Sequence, residues 1–188
     1  MYDIVLADPP WRYEQSRSTS RKIENQYPTM EVEDIAALPV ATWANPDSAC
    51  YMWATSPKLP EALRVMEAWG FEYRTCMVWD KQIIGMGYWC RGQHELLLIG
   101  RRGSFAPPAQ ETRRSSVISH RRMKHSRKPE EVAEMIDQQF PQATKIELFA
   151  RRTRQGWDVW GNQVEQSAPL FEANQSSGIV QLGGTEFA

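Results

Sequence analysis

The chain has 188 residues, of which 41% are hydrophobic and 24% charged, and its formal net charge is −1. These values are typical of one globular domain with its own hydrophobic core. No apolar run approaches the roughly 20 residues that span a bilayer, and the N-terminus lacks the pattern of a signal peptide, so no membrane attachment is expected. The three cysteines include no CxxC pair, which argues against a disulfide framework or a cysteine zinc site and favours the cytoplasm.

The predicted elements alternate between strands and helices along the chain. Short apolar segments predict strands at residues 2–7, 48–55, 71–79, 94–100, 144–150 and 157–162. Amphipathic segments predict helices at 30–38, 59–70 and 128–140. This alternation favours an α/β domain over residues 1–165, with a mostly parallel central sheet flanked by helices. Residues 166–188 are rich in Gln, Ser and Gly and are predicted to form a weakly ordered tail.

The basic residues are unevenly distributed. Residues 101–128 hold nine of the 22 Lys and Arg residues, among them Arg121, Arg122 and Lys124, and only one acid, Glu111. Such a concentration attracts a polyanion even when the whole chain is nearly neutral, so the segment predicts nucleic-acid binding. The alternative is a solvated loop with no binding role.

Residues 8–11 read Asp-Pro-Pro-Trp and follow directly on the first predicted strand. Ligands of parallel α/β sheets bind beyond the carboxyl ends of the strands. Asp8 and Arg151 both follow an apolar strand, so they are predicted to lie at one edge of the sheet. The histidines lack metal-ligand spacing, and the chain has no GxSxG elbow, P-loop or GxGxxG motif. The Asp-Pro-Pro-Trp turn is therefore the main candidate for chemistry, with no metal expected.

The chemistry of this turn suits an exocyclic aromatic amine. Such an amine is a poor nucleophile because its lone pair is delocalised into the ring. Asp8 can accept one of its N–H groups and the carbonyl of Pro9 the other, since Pro10 has no N–H with which to compete. Two fixed acceptors draw the nitrogen toward tetrahedral geometry, and Trp11 offers a face for a base. The alternative is a proline corner with a packed tryptophan.

This turn is the first of nine short segments along the chain. They are ADPPW at 7–11, YPTM at 27–30, YMWAT at 51–55, AWGFE at 68–72, VWDK at 78–81, GYWCRGQHELLLIG at 87–100, HSRKPEE at 125–131, KIELFAR at 145–151 and WDVWGNQ at 157–163. In these segments the chain resembles the MT-A70 family of S-adenosylmethionine-dependent adenine N6-methyltransferases, over roughly residues 2–165. The resemblance implies a Rossmann-like class I methyltransferase fold in permuted order, with the catalytic motif first and the cofactor strand last.

The resemblance also implies roles for individual residues. The implied catalytic residues are Asp8, Pro9, Pro10 and Trp11. The implied contacts to S-adenosylmethionine, which leaves as S-adenosylhomocysteine, are Asp8, Lys128, Arg151, Asn162 and Gln163. Lys128 would face the cofactor carboxylate, and Tyr27 would touch the target base beside Trp11. Arg121, Arg122 and Lys124 are the expected nucleic-acid contacts. For His94 and Glu95, a structural role and a substrate role both stay open.

The resemblance departs from the family pattern in two places. The family's Arg-Pro-His-Asn becomes Arg-Arg-Thr-Arg at residues 151–154. In the messenger-RNA enzyme of the family, an Asp-containing segment precedes the catalytic strand, whereas Met1 here lies seven residues before Asp8. We therefore expect the cofactor's adenine pocket to be closed in another way or to be more open.

Several readings of the function remain. The favoured substrate is DNA, in a bacterial or phage enzyme, because no separate RNA-binding module is visible. The alternatives are the same reaction on RNA, a non-catalytic nucleic-acid-binding partner subunit, and methylation of a small-molecule or protein amide nitrogen. The intact Asp-Pro-Pro-Trp turn argues against a non-catalytic partner subunit. The basic segment argues against methylation of an amide nitrogen. A homodimer also fits, because related enzymes pair and the domain is small for reading a long site.

Overall fold

The computed structural model describes residues 1–13, 29–87, 89–122, 127–162 and 164. Within them the strands are β1 (Tyr2–Ala7), β2 (Ala44–Ala54), β3 (Glu72–Asp80), β4 (His94–Arg102), β5 (Val117–Ser119), β6 (Lys145–Leu148) and β7 (Asp158–Trp160). The helices are α1 (Val32–Ala36), α2 (Val40–Trp43), α3 (Leu59–Ala68) and α4 (Glu131–Gln139). Two short 3₁₀ turns cover Ser56–Lys58 and Gln110–Thr112. In this part of the chain, no helix is both long and apolar enough to cross a membrane.

The strands form one seven-stranded sheet in the order β5-β3-β4-β2-β1-β6-β7. β1 pairs in parallel with β2 and β6, β6 with β7, and β3 with β5. β4 runs antiparallel to both β2 and β3. Six strands therefore point the same way, and their carboxyl ends share an edge with the amino end of β4. We call this edge the carboxyl edge.

The strands that follow β1 in the chain, β2 to β5, all lie on one side of β1 within the sheet, and β6 and β7 lie on the other side. β1 is thus the switch point of the topology, where α/β sheets open a crevice for ligands. Asp8, which directly follows β1, lies at this crevice.

The sheet has a hydrophobic core on each face, because alternate residues of a strand point to opposite faces. Val5 and Ala7 of β1 join a cluster with residues of α1, α2 and α3, including Trp43 and Trp69. Ile4 and Leu6 join a second cluster built on α4. Both faces of β1 are thus covered, which explains why its residues 4–7 read as a continuous apolar run.

The structure confirms the mixed α/β class and the mostly parallel sheet. All six predicted strands are present, although β2 begins at Ala44 rather than at residue 48. The predicted helix at 30–38 is shorter in the structure, where α1 covers Val32–Ala36, and α2 follows it unpredicted. β5 and the reversed direction of β4 were not predicted either. The tail predicted at 166–188 lies outside the described residues.

Candidate active site

The carboxyl edge gathers the chemistry-bearing residues of the sequence. Asp8 follows β1, Lys81 follows β3, and Arg151 and Asn162 follow β6 and β7. Glu95 reaches the same edge from the start of β4, opposite Trp79 of β3. Sequence reasoning placed Asp8 and Arg151 at one edge, and the strand directions of the structure do the same.

The Asp-Pro-Pro-Trp turn is held by its backbone. The N–H of Asp8 donates to the carbonyl of Leu148 at 3.4 Å, and the N–H of Met30 donates to the carbonyl of Pro10 at 2.9 Å. The N–H of Trp11 donates to the carbonyl of Pro9 at 2.9 Å. The carbonyl of Pro9 therefore has a local donor that the sequence argument did not foresee. A carbonyl has two lone pairs, so Pro9 keeps one for a substrate N–H.

Trp11 serves as the anchor of this turn. Its side chain is only 5% exposed and belongs to the core that lies beneath α1, α2 and α3. Its indole Nε1 donates to the carbonyl of Trp53 at 3.1 Å. The expectation that Trp11 offers an open stacking face for a base is therefore corrected, since the indole is buried and its N–H already has a partner.

Lys128 joins the two acids of the site. Its Nζ lies 2.7 Å from Oδ1 and 2.8 Å from Oδ2 of Asp8, and 3.3 Å from Oε2 of Glu95. The other oxygen of Glu95, Oε1, lies 3.2 Å from Nζ of Lys81. Asp8, Lys128, Glu95 and Lys81 thus form a continuous chain of alternating charge, which we call the charged chain. Lys81 was not predicted, and the VWDK segment was the only signal for it.

Two tryptophans lie beneath the charged chain. Nζ of Lys128 is 5.7 Å from the ring centre of Trp53, and Nζ of Lys81 is 5.9 Å from that of Trp79. The two indoles pack edge to face with their centres 5.9 Å apart. Indole faces attract cations, and these contacts keep both lysines over an apolar floor.

The charged chain fixes the protonation state of Lys128. Burial by itself would lower the pKa of its ammonium group, but the charges of Asp8 and Glu95 and their hydrogen bonds outweigh it and raise that pKa above the ordinary value. Lys128 is therefore a permanent cation at neutral pH. An ionised Asp8 has about four lone-pair sites, so it still has acceptor capacity beside Lys128.

A second ionic cluster lies where the chain leaves β6 and where it enters α4. Nη1 of Arg154 donates to Oε2 of Glu130 at 2.9 Å, and Arg127 and Arg152 also pair with Glu130. One arginine that precedes α4 and two that follow β6 thus share the carboxylate of Glu130, directly before α4. Because Lys128 stands two residues before Glu130, this cluster helps to position it. Two of the three arginines belong to the segment 151–154, which differs from the family pattern.

Glu147 and Arg154 carry unused polar atoms beside this cluster. Glu147 Oε2 and Arg154 Nε lie 3.6 Å apart, both are buried, and neither has a hydrogen-bond partner among the described residues. Burial raises the pKa of Glu147, the charge of Arg154 opposes this, and the charge of Asp8 adds to it. Glu147 is therefore close enough to Asp8 for the two charges to interact. The sequence analysis gave Glu147 no role.

The ends of β6 and β7 are brought together by close backbone packing. The N–H of Ala150 donates to the carbonyl of Trp160 at 2.9 Å. A Cβ on Gly161 would come within 2.2 Å of the carbonyl oxygen of Ala150, so only glycine fits there. Arg151 and Asn162 flank this contact and are both exposed. The implied cofactor residue Gln163 lies outside the described residues.

The predicted nucleic-acid contacts are only partly described. Arg121 and Arg122 are exposed, and the N–H of Arg122 donates to the carbonyl of Lys81 at 2.9 Å. The basic segment is therefore attached to the carboxyl edge beside the charged chain. Tyr27 and Lys124 lie outside the described residues. His94 is exposed and its Nε2 lies 2.9 Å from the hydroxyl of Ser56.

Comparisons with known proteins identify the family of the chain. The MT-A70 family model matches residues 2–163. The chain belongs to the MT-A70 family. MT-A70 proteins are adenine N6-methyltransferases with a Rossmann-like fold, which confirms the resemblance and the fold class drawn from the sequence. Such a methyltransferase uses S-adenosylmethionine as its methyl donor in general.

Individual MT-A70 relatives come from bacteria and eukaryotes. The chain is 33% identical over 181 residues to the type II methyltransferase M.MunI of Mycoplasma sp., and the match covers 87% of this chain and 78% of that protein. It is 29% identical over 173 residues to an N(6)-adenosine-methyltransferase MT-A70-like protein of Arabidopsis thaliana. It is 26% identical to the human N(6)-adenosine-methyltransferase catalytic subunit METTL3. These two matches cover only 24% and 28% of the longer eukaryotic proteins.

Proposed function

We propose that the chain transfers a methyl group from S-adenosylmethionine to the N6 amine of adenine in DNA, with Asp8 and Pro9 as the acceptors that hold the amine. The observation that carries this proposal is the position of Asp8. Its carboxylate stands at the switch point of the sheet, paired with a permanent cation, and the Pro9 carbonyl follows in a turn fixed by the backbone.

The proposed mechanism is positional. Asp8 and the second lone pair of the Pro9 carbonyl accept the two N–H groups of the amine. An amine held in this way has its lone pair directed out of the ring plane, toward the incoming methyl group. Because the acceptors are in place before the reaction, little reorganisation is needed in the transition state.

Lys128 has two tasks in this mechanism. It holds both oxygens of Asp8, which fixes the direction of the carboxylate. Its charge also offsets the negative charge of Asp8 and Glu95 in a half-buried site, where two unpaired carboxylates would be costly.

The residues at the carboxyl edge fit the chemistry of the proposed methyl donor. S-adenosylmethionine combines a sulfonium cation, an amino-acid end and a ribose diol, and it supplies the methyl group. The carboxylate of Glu147 has a buried oxygen without a hydrogen-bond partner among the described residues, which suits a cationic ligand. The amide of Asn162 suits hydroxyl groups. Lys128, whose ammonium group already lies against Asp8 and Glu95, is proposed as a contact to the cofactor carboxylate from its family position alone. Arg151 and Gln163 are proposed as further contacts from their family positions.

DNA is proposed as the substrate for two reasons. The type II methyltransferase M.MunI is matched over 78% of its length. Arg121 and Arg122 also place exposed cations beside the site, where phosphates of a strand entering it would pass. RNA is the second candidate, because several relatives are named as N(6)-adenosine-methyltransferases.

A methyl-transfer assay tests the proposal. Purified chain is incubated with methyl-labelled S-adenosylmethionine and, in parallel, with duplex DNA, single-stranded DNA and RNA. The products are digested to nucleosides and identified by mass. We expect N6-methyladenine in DNA. Product in RNA alone would overturn the DNA assignment, and a different methylated nucleoside would overturn the proposed role of Asp8.

A further inference from the structure

The loop at residues 81–93, between β3 and β4, starts and ends in the active site. It leaves β3 at Lys81 and enters β4 next to Glu95, and these two side chains form an ion pair with 3.2 Å between Nζ and Oε1. Anything that the tip of this loop contacts is therefore held next to the charged chain.

The base of the loop is braced by hydrogen bonds. The N–H of Lys81 donates to the carbonyl of Gln93 at 2.9 Å, and the N–H of Gly85 donates to the carbonyl of Gly92 at 2.8 Å. The side-chain amide of Gln93 donates to Oδ1 of Asp80 at 2.8 Å. A Cβ on Gly85 would come within 2.7 Å of the Gly92 carbonyl oxygen, so the two arms approach as closely as glycine permits.

This braced loop presents large apolar side chains to solvent. Ile84 is 67% exposed, Met86 is 79% exposed and Trp89 is fully exposed. In contrast, the tryptophans of the described core are at most 6% exposed. Exposed apolar groups that stand together on an ordered loop mark a contact surface.

Exposed arginines accompany the apolar tip. Arg91 lies on the loop itself and is exposed. Arg121 and Arg122 are exposed and follow the root of the loop, where the N–H of Arg122 donates to the Lys81 carbonyl and the N–H of His120 donates to the Asp80 carbonyl at 3.2 Å. A loop that carries both apolar side chains and guanidinium groups matches the chemistry of nucleic acid, which offers stacked bases and phosphates.

A wedge is needed if the substrate is duplex DNA. The N6 amine of adenine is engaged in base pairing there, so the base has to leave the stack to reach Asp8. Among known DNA-binding proteins, apolar side chains inserted between base steps partly unstack them and kink the duplex.

From this juxtaposition we propose that Ile84, Met86 and Trp89 form a wedge that enters the base stack of duplex DNA beside the target adenine, with Trp89 as the stacking side chain. The proposal rests on the proposed function and adds to it the way in which the duplex is opened. The wedge lowers the cost of extruding the base, so it matters for paired adenine and not for adenine that is already unpaired.

The test compares wild type, Trp89→Ala, Trp89→Phe and the control Tyr73→Ala. Tyr73 is an exposed aromatic residue near the start of β3, at the other end of that strand from the loop. Each protein methylates one duplex with the target adenine paired to thymine and a second duplex with an abasic site opposite it. We expect Trp89→Ala to lose at least about tenfold in rate on the paired duplex and less than about twofold on the unpaired one. Trp89→Phe and Tyr73→Ala should keep most of the activity.

An equal loss on both duplexes, or no loss, would overturn the wedge. Light scattering adds a second check: a wild-type dimer that Trp89→Ala converts to a monomer would show that the loop is a protein interface, which also overturns it.

The wedge and the proposed function can fail separately. Fluorescence of 2-aminopurine at adenine positions of duplex DNA reports unstacking without any methyl transfer. A rise with wild type but not with Trp89→Ala, in a protein that methylates nothing, would support the wedge and refute the proposed function. Methylation with no rise in either protein would refute the wedge alone.

Discussion

Nζ of Lys128 lies 2.7 Å from Oδ1 and 2.8 Å from Oδ2 of Asp8, although 120 residues separate the two in the chain. The sequence assigned Asp8 to the substrate amine and to the cofactor, and Lys128 to the cofactor carboxylate, without pairing the two residues. In the structure they form one unit, which Glu95 and Lys81 extend. The four predictions below test this unit and the surfaces around it.

Asp8→Asn should reduce methyl transfer by at least about 10²-fold, because the variant puts an amide in place of an acceptor-only carboxylate. Binding of DNA should change by less than about twofold, since phosphate contacts lie elsewhere. Rates and binding are measured by single-turnover methylation and by fluorescence anisotropy. Asp34→Asn, on the exposed side of α1, is the control. Retained turnover in Asp8→Asn would refute the proposed mechanism.

Lys128→Met should cost about 3 kcal/mol in the free energy of unfolding, because it leaves two carboxylates without their shared cation. The measurement is urea unfolding followed by tryptophan fluorescence. Adding Glu95→Gln should recover part of the loss, since one carboxylate is then neutral. Lys58→Met removes one ion pair, with Glu61, and a cation–π contact with Tyr13, but leaves only one carboxylate without its cation, so it should cost less, about 1 kcal/mol. Equal costs at both lysines would show that the charged chain is an ordinary ion pair.

Replacing Arg121 and Arg122 by Ala should weaken DNA binding and flatten its salt dependence. On duplex DNA the slope of log K against log salt should fall by about 0.9 for each lost phosphate contact. The double variant Arg64→Ala/Arg74→Ala removes two exposed guanidinium groups elsewhere and should leave the slope unchanged. A slope that is the same in both double variants would exclude Arg121 and Arg122 from the interface.

Glu147→Gln should change how stability depends on pH. Burial raises the pKa of Glu147 in the folded chain above its ordinary value of 4.5. At a pH between 4.5 and this raised pKa, the folded chain therefore binds more protons than the unfolded chain. Stability therefore falls as pH rises through this window, and the loss persists at neutral pH. Glu147→Gln has no such loss, so its melting temperature relative to wild type should rise with pH.

The measurement for Glu147 is thermal unfolding from pH 4 to pH 8 at constant ionic strength. Glu67→Gln, at an exposed position of α3, should show a constant difference from wild type. A Glu147→Gln difference that does not vary with pH would contradict the raised pKa.

Local patterns explain most of what the sequence predicted correctly. β1 is buried on both faces, so the apolar run at residues 4–7 predicted it, and Pro9 and Pro10 marked its end. α3 and α4 each bury one stripe, which gave them a helical period. The Asp-Pro-Pro-Trp turn and the family segments indicated the reaction, which the family match confirmed.

The sequence by itself thus determined the α/β class, the order of the elements and the residue at which chemistry is expected, because these depend on neighbours in the chain. Only the tertiary structure decided that β4 runs antiparallel, that Trp11 is an anchor, and that Lys128 pairs with Asp8 and is linked through Glu95 to Lys81. Strand direction and ion pairing depend on contacts between residues far apart in sequence. Their free energy comes from burial and from charges brought together by the sheet, and no local pattern records it.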